Sequence, residues 1–263
     1  MKLKILLFSI LCAAACAAGA QALPVPFVEN GKTLDSTPTM TMYWAGQQSK
    51  AVLVLIPGGD GNLGIKPDTP DLKHPFYQTL KRLSSAELTS GKIDVAIFDS
   101  PYPLSPNQRY PSARGTSEHV KRIKSVVKYY KDKTRLPVWI MGHSNGGISL
   151  MEFVHHLQDE RETNLISGMV VSSARNESRF SAPLDFPILF MDHKNNGCNV
   201  DSATIYGTYE KVKEISGSAV ERAFITSGEA QSLNACVSGF HMYYKADAEV
   251  AKVLEDFLIR NTR

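Results

Sequence analysis

The run Gly142-His143-Ser144-Asn145-Gly146-Gly147 places a serine in the spacing Gly-x-Ser-x-Gly. That spacing suits a nucleophile: a sharp strand-to-helix turn lifts the serine Oγ clear of the backbone, where side chains at Gly142 and Gly146 would strike neighbouring chain. A hydroxyl is a weak nucleophile near neutral pH and needs a base within hydrogen-bond reach. His241, in Ser238-Gly239-Phe240-His241, is the candidate, since it falls between the last strand-like run and a C-terminal helical pattern. Together the two side chains would carry out acyl transfer through a covalent intermediate. His143 lies inside the turn, a place for packing, and His155 and His156 lie on a helix. His74, His119 and His193 show no partner pattern.

Acyl transfer builds negative charge on the substrate oxygen, and backbone N–H groups must meet it. The helix following Ser144 offers the Asn145 N–H at its positive end. A second donor is expected from Ile56-Pro57-Gly58-Gly59-Asp60-Gly61, either the Gly59 or the Asp60 N–H. This run is no phosphate loop, because no Lys-Ser/Thr follows Gly61 and it does not fit Gly-x-Gly-x-x-Gly.

The acid that should orient His241 is harder to place. The stretch in question reads Asp192-His193-Lys194-Asn195-Asn196-Gly197-Cys198, with Asp201 just beyond. Asn196 holds the turn position where the acid belongs but is an amide, and Asp192 is a carboxylate at the end of a strand. An asparagine can orient an imidazole without stabilising the imidazolium by charge. In serine proteases such an exchange costs about 10⁴ in rate through the wrong tautomer. Three arrangements stay open: Ser144-His241-Asn196 with weak turnover, Ser144-His241-Asp192, or a site that binds without hydrolysing. The Asn196-Gly197 dipeptide is also of a kind prone to deamidation, which would regenerate an aspartate.

The elements that must hold these residues are legible as short apolar runs alternating with helical patterns. Ala51–Pro57, Ile93–Phe98, Pro137–Met141, Ser167–Ser172, Pro187–Met191 and Arg222–Ile225 are apolar on both faces, as central strands of a parallel sheet are. Val120, Ile123, Val126, Val127 and Tyr130 mark one helix after Ser117, and Val250, Val253, Leu254, Phe257 and Leu258 another. Such alternation predicts an α/β fold, a mostly parallel sheet with helices on both faces and ligands at the carboxyl ends of the strands. The proline-rich segment 100–116 is expected to line the site, and the short connections leave no room for a large lid domain.

The chain's 263 residues, 43% of them apolar, suffice for one large core, and nothing divides the sequence after the first 22 residues. Residues 23–263 therefore form a single domain. Lys2 and Lys4, the apolar run 5–18 and Ala20-Gln21-Ala22 compose a signal peptide, with cleavage expected after Ala22. Lipid modification at Cys16 is the lesser alternative. No later stretch is long and apolar enough to span a bilayer, so the mature protein is expected in the periplasm or secreted. A formal charge of +3 with 21% charged residues speaks against nucleic-acid binding. Of four cysteines only Cys198 and Cys236 survive cleavage, and an oxidising compartment favours a disulfide between them over a metal site.

These features resemble the α/β-hydrolase superfamily, in particular small exported bacterial serine hydrolases of the dienelactone-hydrolase and carboxylesterase type. The resemblance is carried by Pro57-Gly58-Gly59, the elbow Gly142 to Gly146, Asn196 with Cys198, and Cys236 with Phe240-His241. It implies hydrolysis of a small-molecule carboxylic ester, without metal or cofactor, and a Cys198–Cys236 bridge tying the acid loop to the base loop. Only the acid position departs from the pattern. A binding protein without turnover and a peptidase are the alternatives.

Overall fold

A computed structural model describes residues 19–104, 113–175, 180, 183–198, 202–216 and 220–262. Within these, the strands are β1 (Gln21–Glu29), β2 (Lys32–Trp44), β3 (Ala51–Ile56), β4 (Ile93–Asp99), β5 (Val138–His143), β6 (Gly168–Ser172), β7 (Ile188–His193) and β8 (Val220–Ile225). The helices are α1 (Pro75–Lys81), α2 (Ser117–Thr134), α3 (Gly146–Asp159), α4 (Ser202–Ser216) and α5 (Asp247–Asn261). The strands form one sheet in the order β1-β2-β4-β3-β5-β6-β7-β8. Strands β4 through β8 in that order run parallel, while β1 and β2 are antiparallel additions at one side.

The side-chain alternation of the central strands divides the core in two. On one face Val52, Val54 and Ile56 of β3 join Val120, Ile123, Val126, Val127 and Tyr130 of α2 and Phe153 of α3. On the other, Leu53 and Leu55 meet Phe76 and Leu80 of α1 and Val250, Leu254, Phe257 and Leu258 of α5. Both expected helical stripes are therefore core, and the six expected strands are present with their ends shifted by up to two residues. One shift matters: β7 runs on through Asp192 to His193, so Asp192 is a strand residue rather than the start of a loop.

The hairpin β1–β2 was not anticipated. Its turn is Asn30-Gly31, both with positive φ (48° and 77°), which suits the twist of a two-residue hairpin. The expected cleavage point after Ala22 falls inside β1, whose Gln21 and Ala22 pair with Tyr43 and Met42. Residues 1–18, including Cys16, lie outside the described residues, as does Asp201. Among the described residues there is no large lid, and no helix is long and apolar enough to cross a membrane.

Candidate active site

Strand β5 ends at His143, and α3 begins at Gly146, so Ser144 and Asn145 alone make the turn between them. Ser144 adopts φ +54°, a left-handed conformation that a non-glycine residue rarely takes and that costs on the order of 1 kcal/mol or more. The surroundings hold it there. A Cβ at Gly142 would lie 2.6 Å from the Gly146 carbonyl oxygen, and one at Gly146 would lie 2.1 Å from that of Ile56. The Ser144 N–H donates to the Ser172 carbonyl (2.9 Å), fastening the turn to the end of β6.

Ser144 opens onto a cleft of about 310 Å³ lined by Gly58, Gly59, Asp60, Leu63, His74, Tyr77, His143, Cys236, Val237, His241 and Met242. The structure thus brings Ser144, His241, Gly59 and Asp60 together at the carboxyl ends of the strands. Asn145 stands beside Ser144 and donates from Nδ2 to the Gly59 carbonyl (3.0 Å), joining the elbow to the glycine loop. A Cβ at Gly58 would lie 2.8 Å from the Ser144 Cβ, so glycine is required for the loop to come this near.

His241 is buried, and burial together with the charge of Arg175 pulls its pKa down to about 4. The group facing its Nδ1 is Asn196 Oδ1, at 3.2 Å. Asp192 does not reach the ring. Its Oδ1 instead accepts from Asn196 Nδ2 (2.7 Å), Ser173 Oγ (3.1 Å) and the His193 N–H (2.8 Å). Of the carboxylate candidates, Asp192 therefore stands behind Asn196, and the amide occupies the acid position.

The orientation of that amide follows from its neighbours. The Cys198 N–H, which can only donate, faces Oδ1 (3.1 Å), and the Asp192 carboxylate, an acceptor, faces Nδ2. Oδ1 is then the atom toward His241, and the imidazole must carry its proton on Nδ1, leaving the Nε2 lone pair free. The wrong-tautomer cost expected of an asparagine here is removed. That contact still sets no negative charge against the ring.

Three supporting residues escaped the sequence reading. Arg114 is buried and donates to Ser149 Oγ (2.8 Å) and to the Gly59 carbonyl (3.0 Å), with longer contacts to the Pro57 and Gly58 carbonyls. Drawing those carbonyls inward turns the N–H groups of the same planar peptides, those of Gly58, Gly59 and Asp60, the other way. Asp99, at the end of β4, accepts from the Leu63 and Ile65 N–H groups and holds the cleft wall; burial pushes its carboxyl up to about 6. His193 donates from Nε2 to the Ser227 carbonyl (2.9 Å), accepts the Asn195 N–H on Nδ1 (2.9 Å) and stacks on Phe240, clasping the loop after β7 to the loop of His241.

His143 is fully enclosed among Phe76, His241 and Tyr243, with Nδ1 3.1 Å from Ser172 Oγ, a packing position on the cleft floor. His119 bonds Ser149 Oγ (2.8 Å). His74 caps α1 by accepting the Phe76 N–H on Nδ1 (3.3 Å) and lines the cleft. The segment 100–116 was expected to line the site; its described residues do not, and Leu104 and Arg114 instead buttress the glycine loop from behind. Residues 105–112 lie outside the described residues. Cys198 and Cys236 are at disulfide distance, 2.06 Å between sulfurs. Among the described residues no cluster of His, Cys, Asp and Glu is arranged to hold a metal.

No protein-family model matches the sequence, and no curated protein does. Solved structures match across nearly all of it. XC6422 from Xanthomonas campestris, an α/β serine hydrolase without a lid, superposes with a TM-score of 0.58 at 10% identity over 93% of this chain and 95% of its own. A dienelactone hydrolase from Anabaena variabilis gives 0.59 at 12% identity over 93% and 100%. This chain has the α/β-hydrolase fold. Est1E from Butyrivibrio proteoclasticus superposes at 0.55 with 11% identity over 92% and 98%. Ser144 stands at the crossover from β5 to α3, Asn196 in the loop after β7 and His241 in the loop between β8 and α5.

Proposed function

We propose that this protein is an exported serine hydrolase that cleaves a small carboxylic ester. The observation that carries the reading is the placement of Ser144, on a strained elbow, in one cleft with a neutral His241 whose Nδ1 is held by Asn196. In this reading Ser144 Oγ attacks the ester carbonyl as His241 Nε2 takes its proton. The N–H of Asn145 and that of Gly59 or Asp60 hold the resulting oxyanion. Collapse of the tetrahedral species breaks the bond to the alcohol, which leaves with the proton from Nε2. Water, deprotonated by the same nitrogen, then releases the acid and restores Ser144. Nothing in the cycle requires a metal or organic cofactor.

The cleft favours short substrates. About 310 Å³ walled by Leu63, Tyr77, Val237 and Met242 admits a small acyl or aryl group, and among the described residues no lid shelters a long chain. Export is supported by the basic and apolar leader and by the disulfide geometry. N-terminal sequencing of the secreted material should begin at Leu23.

The amide at the acid position favours a second reading, a binding protein on the same scaffold. A fluorophosphonate probe separates the two. Covalent labelling at Ser144, with p-nitrophenyl acetate hydrolysis that disappears in S144A, supports the hydrolase; folded protein that neither labels nor hydrolyses supports binding. Cleavage of peptide amides in preference to esters would point to the peptidase alternative.

A further inference from the structure

The site contains a carboxylate that the proposed reaction does not use directly. Asp192 is half-buried at the end of β7, and three donors converge on its Oδ1: Asn196 Nδ2, Ser173 Oγ and the His193 N–H. Tyr243 closes the network from behind: its hydroxyl donates to the Met191 carbonyl (3.0 Å) and accepts from Ser173 Oγ (2.9 Å), whose one proton is shared between Tyr243 and Asp192. Two of these contacts tie Asp192 to the ends of β6 and β7, and the third leads onward into the site. The chain of contacts runs in one direction, from Asp192 through the Asn196 amide to His241 Nδ1.

We propose that Asp192 is a positioning residue that acts on His241 through Asn196, holding the amide oxygen toward the ring and making it a stronger acceptor for the Nδ1 proton. An amide is a conjugated unit. Negative charge against its N–H₂ group polarises the carbonyl end, so hydrogen bonds in series strengthen one another. The displaced carboxylate thus supplies part of what an aspartate at position 196 would supply, and the Asn196 amide is the conductor. This inference rests on the reading of His241 as the base.

Among the described residues, these groups bear on the two ends. Asn196, His143 and the charge of Arg175 bear on His241. Asn196, Ser173, His193 and Tyr243 bear on Asp192. Burial raises the Asp192 pKa and the three donated bonds oppose that rise.

The test uses D192N and N196D, singly and together, in the full-length secreted protein. D192N keeps an acceptor oxygen for the His193 N–H, Ser173 and Asn196 while removing the charge. It should lower kcat on p-nitrophenyl acetate roughly tenfold with KM little changed, the scale of one unit charge a few ångströms away at intermediate dielectric. It should also move the acid limb of kcat/KM to lower pH. In the N196D background the same change should act with opposite sign: the two carboxylates would compete for one proton at hydrogen-bond distance, and removing Asp192 frees the charge beside the ring. A sign reversal of this kind cannot come from a residue that only supports the fold. If D192N alone does not fold, N196D against D192N/N196D carries the comparison, and equal acid limbs overturn the inference.

A readout independent of turnover is the His241 Nδ1 proton in the NMR spectrum of the resting protein. It should move upfield in D192N as its acceptor weakens. If D192N reproduces the wild-type proton position and pH limb and only lowers Tm, Asp192 is structural and the inference falls. Should the wild type hydrolyse no ester at all, the hydrolase reading fails while the proton shift still decides this one.

Discussion

Asn196 Oδ1 lies 3.2 Å from His241 Nδ1, so the imidazole is oriented by a neutral group instead of a carboxylate. That contact sets no negative charge against the ring. Burial and the Arg175 charge lower the His241 pKa to about 4 from its ordinary 6.5. A general base works in its neutral form, so activity is retained above that pKa and lost as pH falls through it. We expect kcat/KM for p-nitrophenyl acetate to stay level from about pH 8 down to about pH 5 and to fall below that. A limb near 6.5 would contradict the assignment. Stability should drift the same way, because the unfolded chain takes up a proton between about pH 6.5 and 4 that the folded ring refuses.

Arg114 provides the next prediction. Its guanidinium gathers the Pro57, Gly58 and Gly59 carbonyls, and with them fixes where the neighbouring N–H groups aim. R114M keeps much of the bulk and loses the hydrogen bonds. It should lower kcat by about 10²-fold or more, the scale of losing one oxyanion donor. KM should change little. Steady-state kinetics beside a melting curve distinguishes this from unfolding: a variant that melts normally and turns over normally would remove Arg114 from the site.

What could be read from the sequence, and what could not, divides along the range of the forces involved. The elbow is a local object; its glycines are demanded by contacts within the β5–α3 turn and with β3, and the Gly-x-Ser-x-Gly spacing announces them. The central strands are apolar on both faces and stand out as runs. The β1–β2 hairpin was missed because β2 (KTLDSTPTMTMYW) is rich in threonine and gains burial only toward its end. The available signal was Asn30-Gly31, a dipeptide suited to positive φ. Arg114 carries no such signal. It sits after a proline-rich stretch with no period, and its meaning depends on three carbonyls more than fifty residues away. Asn196 does face His241, but the polarity of its amide depends on Asp192 and the Cys198 N–H approaching from opposite sides, which no spacing rule encodes.

The Asn196-Gly197 pair looks labile on sequence grounds, and the structure argues otherwise. Deamidation needs the Gly197 nitrogen to swing onto the Asn196 side-chain carbon. That side chain is held at Oδ1 by the Cys198 N–H and by His241, and at Nδ2 by Asp192. Intact-mass and peptide mapping of folded protein after days at pH 7.5 should find Asn196 unmodified. Reduced and unfolded chain should convert readily. Conversion at the same rate in both states would mean that these contacts do not persist in solution.

The disulfide gives the last prediction, and its location decides which quantity should move. Cys198 follows Asn196 by two residues and donates its N–H to the Asn196 side chain, while Cys236 lines the cleft five residues before His241. Opening the bridge frees a closed loop spanning a separation of 38 residues, which costs about 4 kcal/mol of stability in the chain-entropy model. For a domain of this size that corresponds to a fall in Tm of roughly 10 °C. The chemical effect should be larger than a loss of stability alone predicts. Well below the new Tm, C198S/C236S should show reduced kcat, because Asn196 would lose its fixed approach to His241, and a smaller rise in KM, because Cys236 and Val237 line the cleft. Slower fluorophosphonate labelling of Ser144 at 25 °C would report the same defect without a substrate. If kcat is unchanged while Tm falls, the bridge stabilises the fold and the clasp between His193 and Phe240 is enough by itself to hold the acid loop in register.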